Sequence, residues 1–481
     1  MNEPSETAFV TGATGFVGRE LVRRLVESHP DLHLIALVRA SDDISLAGRH
    51  ATLIKELPPA QAARVTVLRG DMVAPRLGLA ERDWNDVVDR VDRVLHCAAS
   101  IRFDLPLEVA RRENVESTRT VLSLCRTLRA RGRLARLDHV STAFVAGRRA
   151  GVVGEDELFV GQPFRNTYEQ TKLEAEVLCR SARDEIPVVI HRPSIVVGHQ
   201  ATGRTSTYKA VYGPMRLLIG AYDTCPRVLN RLVPLPLAGD LRVDLVPVDH
   251  VASAIATLWL RGDAIGRCYH LAAGAEGAAT VRELANLTCD HLGTPRVRCA
   301  APGRGLRTVG RLVSRPLRAV APRALAIASI LFDYGAGMPI FDTTAARAAG
   351  VGAPAVTRYF GRILSFALSD DFGRARDARP NAIREDRWDE AAGYQAGGRP
   401  RPHQPTEGGQ PWSTSGSTSI NGKARSASST SAGRCSSSGG SVPVARGLRS
   451  CLGGARGHAC CSRRRRRANG WRTPWKGWAT R

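Results

Sequence analysis

Three glycines near the start of the chain constrain its fold more than any other feature. Gly12, Gly15 and Gly18 follow a short apolar run, Thr7 to Thr11, and open a segment in which Leu21, Val22, Leu25 and Val26 recur on one helical face. A strand that ends in Gly-x-x-Gly-x-x-Gly and passes straight into an amphipathic helix is the setting that makes this motif specific. The absence of Cβ permits a tight turn at Gly12 and lets backbone N–H groups approach a pyrophosphate at Gly15. At Gly18 it lets helix and strand pack closely. The positive helix end then faces the phosphates. Gly12, Thr14, Gly15, Phe16, Val17 and Gly18 are the residues expected at this contact.

Further apolar runs at 34–38, 65–68, 91–95, 137–140 and 188–191 read as buried strands. Helical patterns at 43–56 and 107–131 separate them. Runs apolar on both faces, alternating with helices, predict an α/β fold of the Rossmann type. Its parallel sheet is doubly wound, with helices on both faces. From about residue 198 the rhythm breaks, with helical patterns near 252–259, 281–292 and 321–331. The organisation expected is a nucleotide-binding domain over 1–200, then a smaller substrate-binding part over 201–370 interleaved with the last strands. A linker over 371–390 follows.

The formal charge of +24 would ordinarily suggest a polyanionic partner, but its distribution argues otherwise. Residues 391–481 hold 16 Lys and Arg against a single acidic residue, Glu407, leaving a net +9 for all the rest. This segment is built from Gly, Ser, Arg and Pro and cannot bury enough surface to offset its ordering entropy. It reads either as a disordered basic tail or as a GC-rich frame translated out of register. Nucleic acid is therefore disfavoured as a partner, although Arg463 to Arg467 lie near three tryptophans. None of the 11 cysteines forms a C-x-x-C pair or a zinc-spaced cluster, so no metal is expected and the thiols read as reduced. The first strand begins too early to leave room for a signal peptide, and no apolar run approaches the roughly 18 residues of a spanning helix. A cytoplasmic protein is expected.

The second strand ends in Arg39, with Ser41 two residues on, where an acidic residue would bind a ribose 2′-hydroxyl. A guanidinium and a hydroxyl favour a 2′-phosphate, hence NADP(H). Asp42 and Asp43 follow slightly too late for the diol and are the main objection. Asp71, after the third strand, is placed either to meet the adenine amino group or to cap a helix. Tyr168 and Lys172, four apart on one helical face, pair a phenol with an ammonium that favours its ionised form. Ser141 and Thr142 end a strand at the edge where ligands bind, and Asn114 reads either as the anchor of a proton-relay water or as a satisfied helix amide.

This combination resembles the extended short-chain dehydrogenase/reductase superfamily. Within it, several strings are closer to the fatty acyl-CoA reductases and thioester reductases than to sugar epimerases. They are Thr11 to Gly18, His96-Cys-Ala-Ala-Ser-Ile-Arg-Phe103, His139-Val-Ser-Thr142, Asn166-Thr-Tyr168 with Thr171-Lys172, and His191-Arg-Pro-Ser-Ile-Val-Val-Gly198. The resemblance covers roughly residues 5–370 and weakens after the nucleotide domain, where Pro339 to Asp342 and Tyr359-Phe360 carry it. It implies that Thr142, with Ser141 beside it, polarises the carbonyl. Tyr168 is then the general acid, with Lys172 as its partner. Ala98 would lie on the cofactor floor, and Pro193 and Ile195 on the nicotinamide side. The implied substrate is an acyl-CoA or other acyl thioester, reduced by NADPH to aldehyde or alcohol, with peripheral membrane contact only through that lipid. Arg216, Arg227 and Arg231 are candidates for coenzyme A phosphates, with surface solvation as the alternative. The rival readings are an extended reductase of a sterol, sugar-nucleotide or other ketone, and a non-catalytic NADP-binding regulator.

Overall fold

The computed structural model describes residues 6–209, 211–213, 215, 216, 219, 237–299, 334 and 337–373. The basic segment 391–481, Arg227, Arg231, Cys225, the 321–331 pattern and all but the first residues of the 371–390 linker lie outside them. β1 (Thr7–Thr11) turns through the glycines into α1 (Phe16–Ser28), and β2 (His33–Val38) leads to α2 (Asp43–Ile54). β3 (Val65–Arg69), α3 (Glu81–Arg90) and β4 (Arg93–His96) follow. The next helical stretch is α4 (Leu107–Arg111), a π-helical turn (Arg112–Glu116) and α5 (Ser117–Ala130). Then come β5 (Arg136–Val140), α6 (Thr167–Ser181) and β6 (Val188–Pro193). From the later part of the chain, α7 (Val248–Trp259) and β7 (Cys268–Leu271) complete the layers.

The seven strands form one parallel sheet in the order β7-β6-β5-β4-β1-β2-β3. The order reverses between β1 and β4, and a doubly wound sheet opens its ligand crevice at that point. One core joins Ala8, Val10 and Leu95 to Leu21, Val22 and Leu25 of α1 and to Val251, Ile255 and Trp259 of α7. The other joins Phe9, Leu37 and Val94 to α3, α5 and α6 through Val87, Leu124, Cys125 and Cys179. Each such aliphatic side chain removed from water contributes roughly 1.5–3 kcal/mol. The fold is the expected one, with three differences in detail. Helix α3 has only Val87 and Val88 buried, too short an apolar signal to stand out. A separate strand, Ile195–Val197, follows Pro193 and pairs in parallel with Leu245–Pro247. Strands β5 and β6 are buried throughout yet carry Arg136, Asp138, His139, His191 and Arg192.

Most of those polar side chains find partners, whereas neither ring nitrogen of His139 has one among the described residues. Asp138 accepts from Arg136 Nε at 2.7 Å and lies 2.8 Å from His191 Nε2. Arg136 also donates to the carbonyls of Leu258 and Trp259 at the end of α7. The string Pro339 to Asp342 contributes the short strand Ile340–Phe341, paired in parallel with Val152–Val153. Among the described residues no helix is long and apolar enough to cross a membrane.

The glycine turn sets the crevice. Gly12 has φ +73°, and a Cβ on it would stand 2.6 Å from the backbone nitrogen of Ala98 after β4. Gly12→Ala combines left-handed strain with overlap against a neighbouring main chain and should cost about 3 kcal/mol. A lowered melting temperature in thermal unfolding is the expected outcome; a melt superimposable on wild type would show that the turn gives way.

Candidate active site

On the nucleotide side, Gly15 N-caps α1 without any side-chain cap, so the first-turn N–H groups of Phe16, Val17 and Gly18 point into the crevice. The Gly15 N–H itself donates to the Gly12 carbonyl at 3.0 Å, and the Thr14 carbonyl accepts from Arg19 Nε. Across the crevice, Ala98 donates its N–H to Thr11 Oγ1 at 3.3 Å, locking the end of β4 to that of β1. A Cβ on Gly18 would stand 2.0 Å from the Gly12 oxygen, so the close packing read from the sequence is there.

At the end of β2, Arg39 is exposed and forms an ion pair with Asp71 at 3.8 Å. Ser41 donates its hydroxyl to Asp42, which caps α2 by accepting from the Ser45 N–H at 2.7 Å. Asp43 pairs with Arg69 at 3.5 Å. Both acids that weighed against a 2′-phosphate thus have other work. Asp71 caps no helix; its carboxylate accepts from the Val73 N–H within a tight turn and faces Arg39.

On the chemical side, Thr142 lies just beyond β5, donating to the Pro193 carbonyl at 3.4 Å and accepting from the Phe144 N–H at 3.3 Å. The Thr142 hydroxyl stands close enough to the Tyr168 phenol to favour its ionised form by hydrogen bonding. Asn166 caps α6, accepting from the Glu169 N–H at 2.9 Å, and so fixes the first turn that carries Tyr168. Lys172, one turn on, donates to the Val140 carbonyl at 2.8 Å. Burial pushes the phenol up to about 12, a rise the Thr142 hydrogen bond opposes without cancelling. Burial likewise pushes the Lys172 ammonium down to about 8. The expected lowering of the phenol by the lysine is therefore not what this geometry gives: desolvation wins, with the ammonium held on a carbonyl.

The structure thus brings Thr142, Tyr168, Lys172, Pro193 and Ala98 to one edge, around the glycine turn. It sends Ser141 elsewhere. Backbone alternation turns its hydroxyl onto Glu176 Oε2 at 2.7 Å. Asn114, in the π-helical turn, takes the satisfied form. Its Oδ1 accepts from the Ser100 N–H at 2.7 Å, and its Nδ2 donates to the Ser100 carbonyl and to Thr171 Oγ1. Ile195 is half-buried beside Phe144 and Phe341, and Arg216 is exposed. Sequence reasoning missed Phe103, whose ring lies 5.7 Å from that of Tyr168. It also missed Glu176 and its partner Arg192, although Glu176 continues the four-residue spacing of Tyr168 and Lys172.

The model of the NAD_binding_4 family, described as Male sterility protein, matches residues 10–255, just over half of the chain. Among curated proteins, the chain is 28% identical over 289 residues to fatty acyl-CoA reductase wat of Drosophila melanogaster, covering 52% of this chain and 53% of that one. It is 29% identical over 267 residues to the L-2-aminoadipate reductase large subunit of Penicillium chrysogenum, covering 52% of this chain and 18% of that one. The chain therefore spans about half or less of the length of these relatives. Among solved structures, the terminal R domain from the myxalamid PKS-NRPS biosynthetic pathway superposes with a TM-score of 0.63 at 27% identity, covering 78% of this chain and 93% of that one. The glycine crevice, the edge set of Thr142, Tyr168 and Lys172, and the family match together place the chain in the Male sterility protein family, among the extended short-chain reductases that resemble fatty acyl-CoA reductases.

Proposed function

We propose that this chain is an NADPH-dependent reductase of fatty acyl thioesters, yielding the aldehyde and, in a second round, the alcohol. The observation that carries the reading is the gathering of Thr142, Tyr168 and Lys172 at the strand edge beside the glycine crevice. The name of one relative, a fatty acyl-CoA reductase, supplies the substrate class, and another is named an L-2-aminoadipate reductase. The residues fit a dinucleotide, since the crevice excludes side chains at Gly12 and presents the uncapped end of α1. Arg39 is free to turn from the carboxylate of Asp71 to a 2′-phosphate.

The bound cofactor supplies a hydride to the carbonyl carbon. Thr142 and Tyr168 present two hydroxyls to the oxygen on which negative charge develops. Tyr168, kept protonated at neutral pH by its burial, holds the proton that the oxygen takes up. Lys172 holds its cation within a turn of the phenol. Each round consumes one hydride and one proton, the first also releasing the thiol of the carrier.

Two outcomes are expected. The wild type should prefer NADPH to NADH, and Arg39→Asp should cut NADPH affinity by roughly 10- to 100-fold, the loss of one or two charge-assisted hydrogen bonds; equal efficiency with both cofactors in the wild type would remove the basis for the preference. Tyr168→Phe should lower turnover by about 10²–10⁴-fold while NADPH binding stays near wild type. The measurement is NADPH oxidation against acyl-CoA thioesters, aldehydes and ketones, with product analysis. Turnover of ketones alone would overturn the thioester reading.

A further inference from the structure

On α6 the side chains of Tyr168, Lys172 and Glu176 follow one another at intervals of four and share a face. Glu176 is fully buried. Its Oε2 accepts from Ser141 Oγ at 2.7 Å and Arg192 Nε at 3.0 Å, and its Oε1 from Arg192 Nη2 at 2.8 Å and Arg180 Nε at 2.9 Å. Ser141 immediately precedes Thr142. Arg192 immediately precedes Pro193, whose carbonyl accepts from Thr142. A single carboxylate therefore joins the helix that carries Tyr168 to both strand ends that hold Thr142. Arg192 is itself held by the carbonyls of Glu155 and Glu157 and lies 3.2 Å from His270 Nε2, so the pair cannot swing as a unit. Burial pushes the Glu176 carboxyl up, but Arg192, then Arg180 and the Ser141 hydroxyl, outweigh it and hold it at about 2.

The surroundings of Lys172 give this carboxylate a second role. The titratable groups around the ammonium are His96 and Cys97 of β4, His139 of β5, and Cys179 and Glu176 of its own helix. Burial pushes His96 down to about 3 and His139 well below its ordinary value, so both imidazoles are neutral at pH 7. Burial pushes Cys97 up to about 11 and Cys179 up to about 12, so both remain thiols. Cys179, then Cys97 and Glu176, push the ammonium back up against its burial, and of the three Glu176 alone is ionised at pH 7.

We propose that Glu176 is a positioning residue of the active site, whose buried carboxylate ties α6 to the ends of β5 and β6 and supplies the one negative charge that keeps Lys172 protonated. The catalytic half of this inference rests on the reading of Tyr168 and Lys172 given above.

Lys172 is one of five lysines, so in the full chain labelled with ¹³C-lysine its resonance is assigned by its loss in Lys172→Met. Removing an opposite charge one helical turn away lowers the pKa of an ammonium. In Glu176→Gln the Lys172 titration midpoint should therefore fall by roughly one unit or more, and Glu176→Asp should keep it near wild type. The alkaline limb of the kcat–pH profile should move with it, toward lower pH, because activity is lost as Lys172 gives up its proton. An unmoved midpoint in Glu176→Gln overturns the proposal. A midpoint that moves while the kcat–pH limb stays supports the charge and sinks instead the catalytic reading of Lys172. Should Glu176→Gln fail to fold, Glu176→Asp and Ser141→Ala decide. Ser141→Ala keeps every charge and should lower kcat several-fold with the midpoint unmoved; an undiminished kcat there overturns the tie.

Discussion

The α-hydrogen of Gly18 faces the Gly12 carbonyl where a Cβ would stand 2.0 Å from the oxygen, and Gly12 in turn faces the main chain of Ala98 across the crevice. These two contacts fix how closely α1 descends on β1 and how closely β4 stands beside it. The rest of the edge inherits that spacing. Thr11 can reach both His96 and the Ala98 N–H only because the two strand ends are in contact. His96 then spans from Thr11 to Thr118 of α5, and the layer on the far face is set by the same turn. A dinucleotide crevice is, in this chain, the by-product of main chains packed without intervening side chains.

Much of this was legible in the sequence because the governing signals are local. The glycine turn, the apolar runs and the four-residue spacing of Tyr168 and Lys172 all lie within a few residues of one another. What escaped was whatever depends on partners far apart in the chain. Strands β5 and β6 tolerate buried Arg136, Asp138 and His191 because Asp138 holds both Arg136, two residues before it on β5, and His191 across the sheet on β6, a partner 53 residues away. Ser141 and Thr142 are equivalent as neighbours in a string, yet pleating sends one to Glu176 and the other to Pro193 and Tyr168. The helix-cap alternative for Asp71 gives way to a turn, in which its carboxylate accepts from the Val73 N–H and faces Arg39. Glu176 carried a visible signal, its spacing from Lys172, but its partners Ser141 and Arg192 come from two other strands.

The electrostatics of the edge follow from dryness rather than from charge pairing. Burial raises the phenol and lowers the ammonium, so each group drifts toward its neutral form. In the proposed mechanism this is a useful bias in the phenol, which there donates its proton, and a hazard in the lysine, which there keeps its charge. Two neutral imidazoles around Lys172 do nothing to relieve the hazard, which Cys179, Cys97 and Glu176 oppose without overcoming burial. A buried ion pair rarely adds net stability over well-packed apolar side chains. The retention of Glu176 and Arg192 at the heart of the sheet is better understood as the cost of holding a functional edge in register.

Helix α7 covers the same face of the sheet as α1, sealing Val140 and Val189, and receives the Arg136 guanidinium on its final carbonyls. It is made long after the strands it covers. On the ribosome, residues 248–259 emerge well after β6 is complete. At roughly 5–20 residues per second the face of β5 and β6 that α7 covers stays open to water for several seconds. During that interval the polar side chains of Arg136, Asp138 and His191 remain solvated, and they desolvate when the late helix closes. The order of synthesis thus leaves the nascent chain a half-sheet that carries charge among its apolar side chains, and postpones their burial until its last cover has been made.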